Sequence, residues 1–325
     1  MNYRQFGNVG WKVSEVGLGT WQLGGDWGAV SEEGARSILS TAVDNGVTFF
    51  DTADVYGGGR SETILGTFFK DISEEYFIAT KLGRLEGYPD GYTPELFTRC
   101  IENSLRRLQR DTIDLAQLHC IPRKWLVSGE VFDWLRILRN EGKIRAFGAS
   151  VETLEEAQLC LKQPDVASLQ IIFNIFRQIP ADELFGQAKE NGTALIIRLP
   201  LASGLLSGKF TTETKFADND HRSYNRNGEA FSAGETFSGL EYEYALSCVE
   251  KIRTVIPDGM TMTQFALRWI LDHPEVSVVI PGATRVEQVR SNAAASALER
   301  LGNDSHRYLR EFYTTDVEDK IRGRR

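Results

Sequence analysis

Residues 76–83 read YFIATKLG, a short run of aromatic, aliphatic and β-branched residues that predicts a β-strand. The segment over residues 93–109 then places its apolar side chains at helical spacing. It begins with Thr93-Pro94-Glu95, which combines a capping side chain, a proline in the first turn and an acidic residue. Residues 76–109 therefore predict one strand followed by one helix.

The same alternation of strand and helix continues through most of the chain. Strands joined by helices pair in parallel through crossover connections, and a count of eight favours closure into a barrel over an open sheet. The sequence therefore predicts the α/β class and, within it, a (β/α)8 TIM barrel. The strands are predicted at residues 13–20, 48–53, 76–83, 113–120, 144–151, 168–174, 194–201 and 276–283, and helices at 31–45, 93–109, 128–141, 153–163, 181–191 and 261–273.

Two segments lie outside this alternation. Residues 1–12 contain Gly7 and Gly10 and are predicted to form a short N-terminal hairpin that plugs the bottom of the barrel. Residues 203–244, after the seventh strand, form a long loop of a length that is usually functional or disordered. No linker or low-complexity stretch divides the chain, so residues 1–325 are predicted to form a single domain.

Composition argues against several classes of protein. The net charge is −8 and the basic residues are scattered, which is not the pattern of a nucleic-acid-binding surface. No apolar run approaches the ~18 residues of a membrane span, and the first residues lack the apolar stretch of a signal peptide. We therefore expect a cytoplasmic protein that binds neither nucleic acid nor membrane. Its four cysteines predict buried, reduced thiols, and its four histidines lack metal-ligand spacing, so no metal site is predicted.

Candidate catalytic residues follow from the predicted strand ends, because barrels of this kind carry their catalytic side chains there. The ends of the second, third and fourth strands supply Asp51 and Tyr56, then Lys81, then His119. Each residue alone also has an ordinary structural interpretation, as a turn cap, a loop aromatic, an exposed lysine or a core histidine. Their joint placement at three successive strand ends favours a catalytic group.

These four side chains would form a coherent acid catalyst. A phenol with a pKa of ~10 is a weak acid near neutral pH, and an adjacent ammonium such as that of Lys81 lowers this value. A carboxylate, Asp51, would keep the buried lysine charged. We therefore predict Tyr56 as the general acid, tuned by Lys81 and Asp51, and a neutral His119 that orients a carbonyl.

Four stretches resemble the aldo-keto reductases and occur in that family's order: Gly17-Leu18-Gly19-Thr20-Trp21, Phe50-Asp51-Thr52-Ala53-Asp54-Val55-Tyr56-Gly57, Ala79-Thr80-Lys81 and Leu118-His119. The Asp-Thr-Ala-x-x-Tyr-Gly run is highly specific. The resemblance extends from the first strand to about Asn292, nearly the whole chain. It implies hydride transfer from NADPH to an aldehyde or ketone, or the reverse oxidation of an alcohol, in a (β/α)8 barrel with the same catalytic tetrad.

The resemblance also implies a cofactor site. Ser150 and Gln170 are expected to hold the nicotinamide amide, residues 200–209 to lie over the pyrophosphate, and residues 280–292 to bind the adenosine end. Small residues and a helix N-terminus suit phosphates, and Arg285 favours NADPH, although an exposed first-turn arginine is its alternative interpretation. The expected cofactor-binding residues are Thr20, Trp21, Asp51, Ser150, Gln170, Arg198, Pro200, Leu201, Ser203, Gly204, Lys209, Arg222, Gly282, Ala283, Thr284, Arg285, Gln288 and Asn292.

Two positions depart from the family's usual pattern. Val151 stands where an asparagine commonly follows the serine, so one hydrogen bond to the nicotinamide amide is lost or is supplied by another residue. Arg198 stands where many members stack an aromatic ring on the nicotinamide. Its guanidinium can stack on the ring, recruit an acidic or hydroxylated substrate, contact cofactor phosphates or pair with a carboxylate, and these alternatives stay open.

The walls of the substrate pocket are less well specified. Trp21, Trp27, Trp125 and Phe173 are candidates for an aromatic wall, although each is also a candidate for ordinary packing. The loop over residues 203–244 either closes over the cofactor or lies on the surface.

Two other functions compete with the reductase. A cofactor-binding regulatory protein with little turnover, similar to the potassium-channel β-subunits, is disfavoured because those relatives replace the residue that corresponds to His119. An unrelated barrel isomerase or lyase would require the match to the tetrad to be accidental. The expected partner is a small-molecule carbonyl or alcohol, whereas the sequence leaves open the substrate itself, the preferred direction and the oligomeric state.

Overall fold

Eight parallel β-strands form a ring in the computed structural model, which describes residues 1–25 and 30–323. Each strand pairs with the next one along the chain. The eighth returns to the first, where the Gly17 N–H donates to the Val279 carbonyl at 2.8 Å and a parallel bridge joins Gly19 to Gly282. The predicted (β/α)8 barrel is therefore confirmed. The strands are β1 (Leu18–Gly19), β2 (Phe49–Asp51), β3 (Phe77–Leu82), β4 (Ile113–His119), β5 (Ile144–Ser150), β6 (Val166–Ile172), β7 (Ala194–Arg198) and β8 (Val276–Val279).

Helices surround the ring, and several begin with a capping threonine. Thr93 accepts a hydrogen bond from the Leu96 N–H at 3.2 Å, and Thr153 accepts one from the Glu156 N–H at 3.1 Å. Within the described ranges, none of the helices has both the length and the apolar character needed to cross a membrane. The α-helices are α1 (Trp21–Gly24), α2 (Glu32–Asp44), α3 (Arg60–Phe69), α4 (Pro94–Leu108), α5 (Arg123–Ser128), α6 (Glu130–Asn140), α7 (Leu154–Leu161), α8 (Ile179–Glu183), α9 (Phe185–Glu190), α10 (His221–Tyr224), α11 (Tyr242–Arg253), α12 (Met262–Leu271), α13 (Val286–Ala294) and α14 (Asn303–Phe312).

Three predicted elements are divided in the structure. Residues 13–20 are not one strand, because Lys12–Ser14 pairs with Tyr3–Gln5 in the N-terminal hairpin and only Leu18–Gly19 joins the barrel. The predicted helix over 128–141 is divided at Gly129, between α5 and α6. The one over 181–191 is divided at Leu184, between α8 and α9. A run of apolar residues has the same spacing whichever sheet it joins, so spacing alone does not divide residues 13–20 between the hairpin and the barrel.

The N-terminal hairpin closes one end of the barrel, as predicted. Phe6 and Trp11 are stacked with ring centroids 5.6 Å apart, and Phe6 also stacks on Phe49 of β2 at 5.4 Å. Trp11 stacks on Phe77 of β3 at 5.0 Å. These aromatic rings fill the barrel interior at the amino ends of the strands, so the carboxyl-terminal ends are left to form the site.

The long loop after β7 folds back over the carboxyl-terminal ends of the strands. It contains α10 and three short 3₁₀ segments, Ala202–Ser207, Ala233–Glu235 and Phe237–Gly239. The Ser203 hydroxyl donates to the carbonyl of Glu235 at 3.1 Å and accepts from the N–H of Phe237 at 3.2 Å. These bonds tie the beginning of the loop to its end. The loop is therefore an ordered cover and not an excursion away from the barrel.

Candidate active site

The four predicted catalytic residues meet at one place. Asp51 ends β2, Lys81 lies near the end of β3 and His119 ends β4. The Lys81 Nζ lies 2.6 Å from Asp51 Oδ2 and 3.3 Å from the Tyr56 hydroxyl. It also donates to the Thr52 carbonyl at 2.8 Å, which satisfies a third direction of the ammonium. Lys81 therefore contacts both Asp51 and Tyr56 directly, as their placement at successive strand ends predicted.

Three glycines after Tyr56 allow the chain to turn back over Lys81. Gly57, Gly58 and Gly59 have φ values of 60°, 61° and 95°, a region that favours glycine. A Cβ on Gly57 would lie 2.3 Å from the Gly24 carbonyl oxygen, so a side chain there is sterically excluded. The run Gly57-Gly58-Gly59 is therefore what permits Tyr56 to reach the lysine.

Two rings hold the Tyr56 side chain in place. Trp21 is stacked on it with centroids 5.8 Å apart, and His119 meets it edge-on at 5.9 Å. The ring of His221, from the long loop, also packs on Trp21, with centroids 4.8 Å apart. The long loop thus contacts the aromatic group that orients the candidate acid, and it covers the site.

Electrostatics keep the lysine charged and the phenol protonated. Burial lowers the pKa of Lys81, but the carboxylate of Asp51 and the phenol of Tyr56 raise it by more, so the net pKa is raised. Burial raises the pKa of Tyr56, and this effect exceeds the opposing effect of Lys81. The expectation that Lys81 lowers the tyrosine pKa below its usual value is therefore wrong for the net shift, although the direction of the lysine's own effect is right.

His119 is neutral, as predicted. Burial lowers the pKa of its imidazole well below the usual value, and the charges of Arg84, Lys81 and Arg198 act in the same direction. Within the described residues, its Nδ1 has no hydrogen-bond partner. A neutral ring next to Tyr56 can donate a hydrogen bond without adding a charge to the site.

A network of amides extends the group on the side of Asp51. The Gln170 Nε2 donates to Asp51 Oδ1 at 2.7 Å, and Gln117 Nε2 lies 3.4 Å from the same oxygen. The Ser150 hydroxyl lies 3.5 Å from Gln170 Oε1. Sequence reasoning missed Gln117, although a polar residue two positions before His119 on the same strand was a signal that it faces the same way.

One cavity of about 540 Å³ joins the candidate catalytic group to the predicted cofactor residues. Every residue predicted to contact the cofactor lines it, from Thr20 and Trp21 beside Tyr56 to Asn292 in α13. Its size lies within the usual range of pockets that hold small molecules. The structure therefore brings together the residues that the resemblance assigned to the cofactor.

The end of the cavity away from Tyr56 is basic. Lys209, Arg222 and Arg285 line it, and Glu287 is the acidic residue among the lining groups at that end. Gln288 caps the start of α13 and accepts from the N–H groups of Thr284 at 2.7 Å and Arg285 at 3.1 Å. Arg222 is paired with Asp220 at 2.5 Å, so the positive charge that suits phosphate groups at this end comes from Lys209 and Arg285.

Of the four aromatic candidates for the pocket wall, Trp21 lines the cavity. Phe173 packs on Trp269 with centroids 4.9 Å apart, and Trp125 packs on Tyr92 at 5.2 Å, so neither belongs to the wall. Trp27 lies outside the described residues.

Arg198 pairs with a carboxylate, which was one of the alternatives left open. Its Nη1 lies 3.5 Å from Glu235 Oε2, and its Nη2 donates to the Val151 carbonyl at 3.0 Å. Val151 therefore contributes its backbone to this side of the site. Sequence reasoning missed Glu235, which the folding of the long loop brings to the cavity.

The chain is similar to known proteins over nearly its whole length. The sequence profile of the aldo/keto reductase family matches residues 15–314. Aldo-keto reductase YhdN of Bacillus subtilis is 30% identical over 304 residues, which cover 90% of this chain and 87% of that protein. L-galactose dehydrogenase of Arabidopsis thaliana is 31% identical over 313 residues, covering 93% and 90%. The structure of glycerol dehydrogenase AKR11B4 from Gluconobacter oxydans has a TM-score of 0.79 at 27% identity, covering 99% of this chain and 98% of that one.

Proposed function

Because this chain belongs to the aldo/keto reductase family of oxidoreductases, we propose that it reduces aldehydes or ketones with NADPH, or oxidises the corresponding alcohols. The observation that supports this most is the contact of the Lys81 Nζ with both Asp51 and Tyr56, beside a neutral His119. All of these side chains except the buried Lys81 also line the cavity. A cofactor-binding regulatory protein would not need that combination.

In this proposal Tyr56 is the general acid. NADPH, when bound, supplies the hydride that adds to the carbonyl carbon. The Tyr56 hydroxyl gives its proton to the carbonyl oxygen, and the Lys81 ammonium at 3.3 Å stabilises the phenolate that is left. Asp51 holds Lys81 charged, and the imidazole of His119 donates a hydrogen bond that orients the carbonyl. In the oxidation of an alcohol the phenolate takes the proton back.

The lining of the cavity fits NADPH. Ser150 and Gln170 would hold the nicotinamide amide beside Asp51, and the loop after β7 would cover the pyrophosphate. Lys209 and Arg285 would supply positive charge near the phosphates, together with Arg222, which is itself paired with Asp220. The start of α13 would add backbone N–H groups at the same end, and Arg285 would pair with a 2′-phosphate.

The direct test is the oxidation of NADPH by the purified protein with a panel of short aldehydes and ketones, followed by absorbance. We expect turnover of at least one class of carbonyl compound. Binding of NADPH without turnover of any compound on the panel would support the regulatory protein. Failure to bind NADPH or NADH would contradict the cofactor assignment itself.

Arg285→Ala is expected to weaken the binding of NADPH much more than that of NADH. A charged hydrogen bond contributes about 1.5–3 kcal/mol, so the KM for NADPH should rise by about 10-fold to 100-fold while that for NADH changes little. The measurement is the KM for both cofactors with one aldehyde. Arg290→Ala is the control, because Arg290 is an exposed arginine in the same helix. An equal loss for the two cofactors would refute the assignment of Arg285 to the 2′-phosphate.

A further inference from the structure

Four charged side chains form a group beside the cavity, which we call the arginine–glutamate cluster (Arg84, Glu152, Arg198 and Glu235). Arg198 and Glu235 are buried and line the cavity, whereas Arg84 and Glu152 are half-buried. The Arg84 Nη2 lies 3.0 Å from Glu152 Oε1 and 3.7 Å from Glu235 Oε1. The Arg198 Nη1 lies 3.5 Å from Glu235 Oε2. Arg84 and Glu152 come from the loops after β3 and β5, Arg198 ends β7 and Glu235 lies in the long loop, so only the folded chain brings them together.

Hydrogen bonding within the cluster is incomplete between Arg198 and Glu235. Within the described residues, the buried atoms Arg198 Nε and Glu235 Oε1 have no hydrogen-bond partner. The separation of 3.5 Å between Arg198 and Glu235 is long for a hydrogen bond, and the contact of Arg198 with Cys120 Sγ at 3.8 Å is weak. A guanidinium has five N–H donors, and buried polar groups without partners are costly. Both side chains therefore have unused capacity for a polar ligand.

This pair borders the candidate catalytic group. Arg198 and Glu235 line the same cavity as Tyr56 and His119, and Cys120, which contacts Arg198, directly follows His119 in the chain. The charge of Arg198 also contributes to the lowered pKa of His119, after burial, Arg84 and Lys81. A substrate held by Tyr56 and His119 would therefore share the cavity with this pair.

We propose that Arg198 and Glu235 form a subsite for a hydroxyl group of the substrate, so that the enzyme selects uncharged hydroxylated carbonyl compounds and, in the oxidative direction, polyols. This inference rests on the proposed function. A hydroxyl group accepts a hydrogen bond from the guanidinium and donates one to the carboxylate, so it uses both members of the pair. An unsubstituted alkyl chain would use neither member and would leave both unsatisfied.

A substrate carboxylate suits this subsite less well. Although burial acts in the opposite direction, Arg198 and Arg84 hold the pKa of Glu235 below its usual value, so Glu235 carries a negative charge. A second carboxylate on Arg198 would therefore stand beside a like charge, which is unfavourable in a buried site.

A metal cation is also disfavoured at this place. The ligand atoms of Cys120, Glu152 and Glu235 lie within 4.8 Å of one another, which is close enough for a shared ion. However, Arg84 and Arg198 contact the same two carboxylates and already supply positive charge to them. The cluster is thus better suited to a neutral polar ligand than to a cation.

The experiment compares 2-hydroxypropanal with propanal, which has the same carbon chain without the hydroxyl group. For the wild-type enzyme we expect kcat/KM to favour the hydroxylated aldehyde by about 10-fold to 100-fold, the size of a charge-assisted hydrogen bond. Because the hydroxyl group also activates the carbonyl, the decisive quantity is the change of this ratio in Glu235→Gln. We expect the ratio to fall by about tenfold, with kcat/KM for propanal nearly unchanged.

The control variant is Glu213→Gln, the same chemical change at an exposed position of the same loop, which should leave the ratio unchanged. An unchanged ratio in Glu235→Gln, or an equal loss for both aldehydes, would overturn the subsite. A preference for 4-oxobutanoate over butanal would also overturn it, in favour of an anion site. If Glu235→Gln does not fold, Arg198→Lys must lower the same ratio. If the enzyme reduces propanal and 2-hydroxypropanal with equal kcat/KM, this inference is contradicted and the proposed function stands. If it reduces no carbonyl compound, the proposed function itself is contradicted.

Discussion

Tyr56→Phe should lower kcat for carbonyl reduction by about 10²-fold to 10⁴-fold, the usual contribution of a positioned general acid. Phenylalanine keeps the ring that stacks on Trp21 but removes the hydroxyl that lies 3.3 Å from the Lys81 Nζ. The loss should therefore appear in kcat, with little change in the affinity for NADPH. The measurement is steady-state kinetics with one aldehyde, together with a direct titration of NADPH binding.

Tyr3→Phe is the matched control, because it removes a hydroxyl at the opposite end of the barrel, where Tyr3 contacts the Gly46 carbonyl. It should leave kcat unchanged. Full activity of Tyr56→Phe would show that another group protonates the carbonyl. If the variant loses NADPH binding as well as activity, Tyr56 maintains the structure of the site and does not act as the acid.

Lys81→Met should be damaging to both stability and activity. Lys81 is fully buried against Asp51, which is itself 2% exposed, so the variant leaves a carboxylate without its charged partner. Breaking a buried ion pair in this way costs about 3–5 kcal/mol of unfolding free energy. The loss of the ammonium also removes the group that stabilises the phenolate of Tyr56. Denaturant unfolding measures the first effect and kcat measures the second.

The double variant Lys81→Met/Asp51→Asn separates these two effects. With neither member of the pair charged, we expect it to recover part of the stability that Lys81→Met loses, whereas kcat should stay low. Lys70→Met, at an exposed position after α3, is the control and should unfold like the wild type. Unfolding of Lys81→Met at the wild-type denaturant concentration would contradict the assigned role of the Lys81–Asp51 pair.

The arrangement of the candidate catalytic residues was predictable because barrel geometry is regular. Parallel strands of a closed barrel all present their carboxyl-terminal ends on the same side, so Asp51, Lys81 and His119 had to face a common space. Tyr56 follows β2 after four loop residues, and the three glycines that come next allow a tight turn. These inferences need only strand order and local backbone preferences, which the sequence carries directly.

Other features depended on contacts between distant parts of the chain. The division of residues 13–20 between hairpin and barrel depends on which partner each segment finds, and apolar spacing is the same in both sheets. The positions of Trp125 and Phe173 in packing, away from the cavity, depend on how the outer helices lie on the ring. An aromatic residue in the sequence does not reveal which of these surroundings it will have.

The barrel and the four candidate catalytic residues followed from the sequence by itself, through local pattern and strand order, and the expected cofactor-binding residues followed from its resemblance to the aldo-keto reductases. Only the tertiary structure decided the net shift of the Tyr56 pKa, since burial and the charge of Lys81 oppose each other and their balance depends on how the phenol is enclosed. It also decided the partner of Arg198. Glu235 reaches that guanidinium through the folding of a long loop, and electrostatic contacts of this kind depend on distance in space and not on separation along the chain.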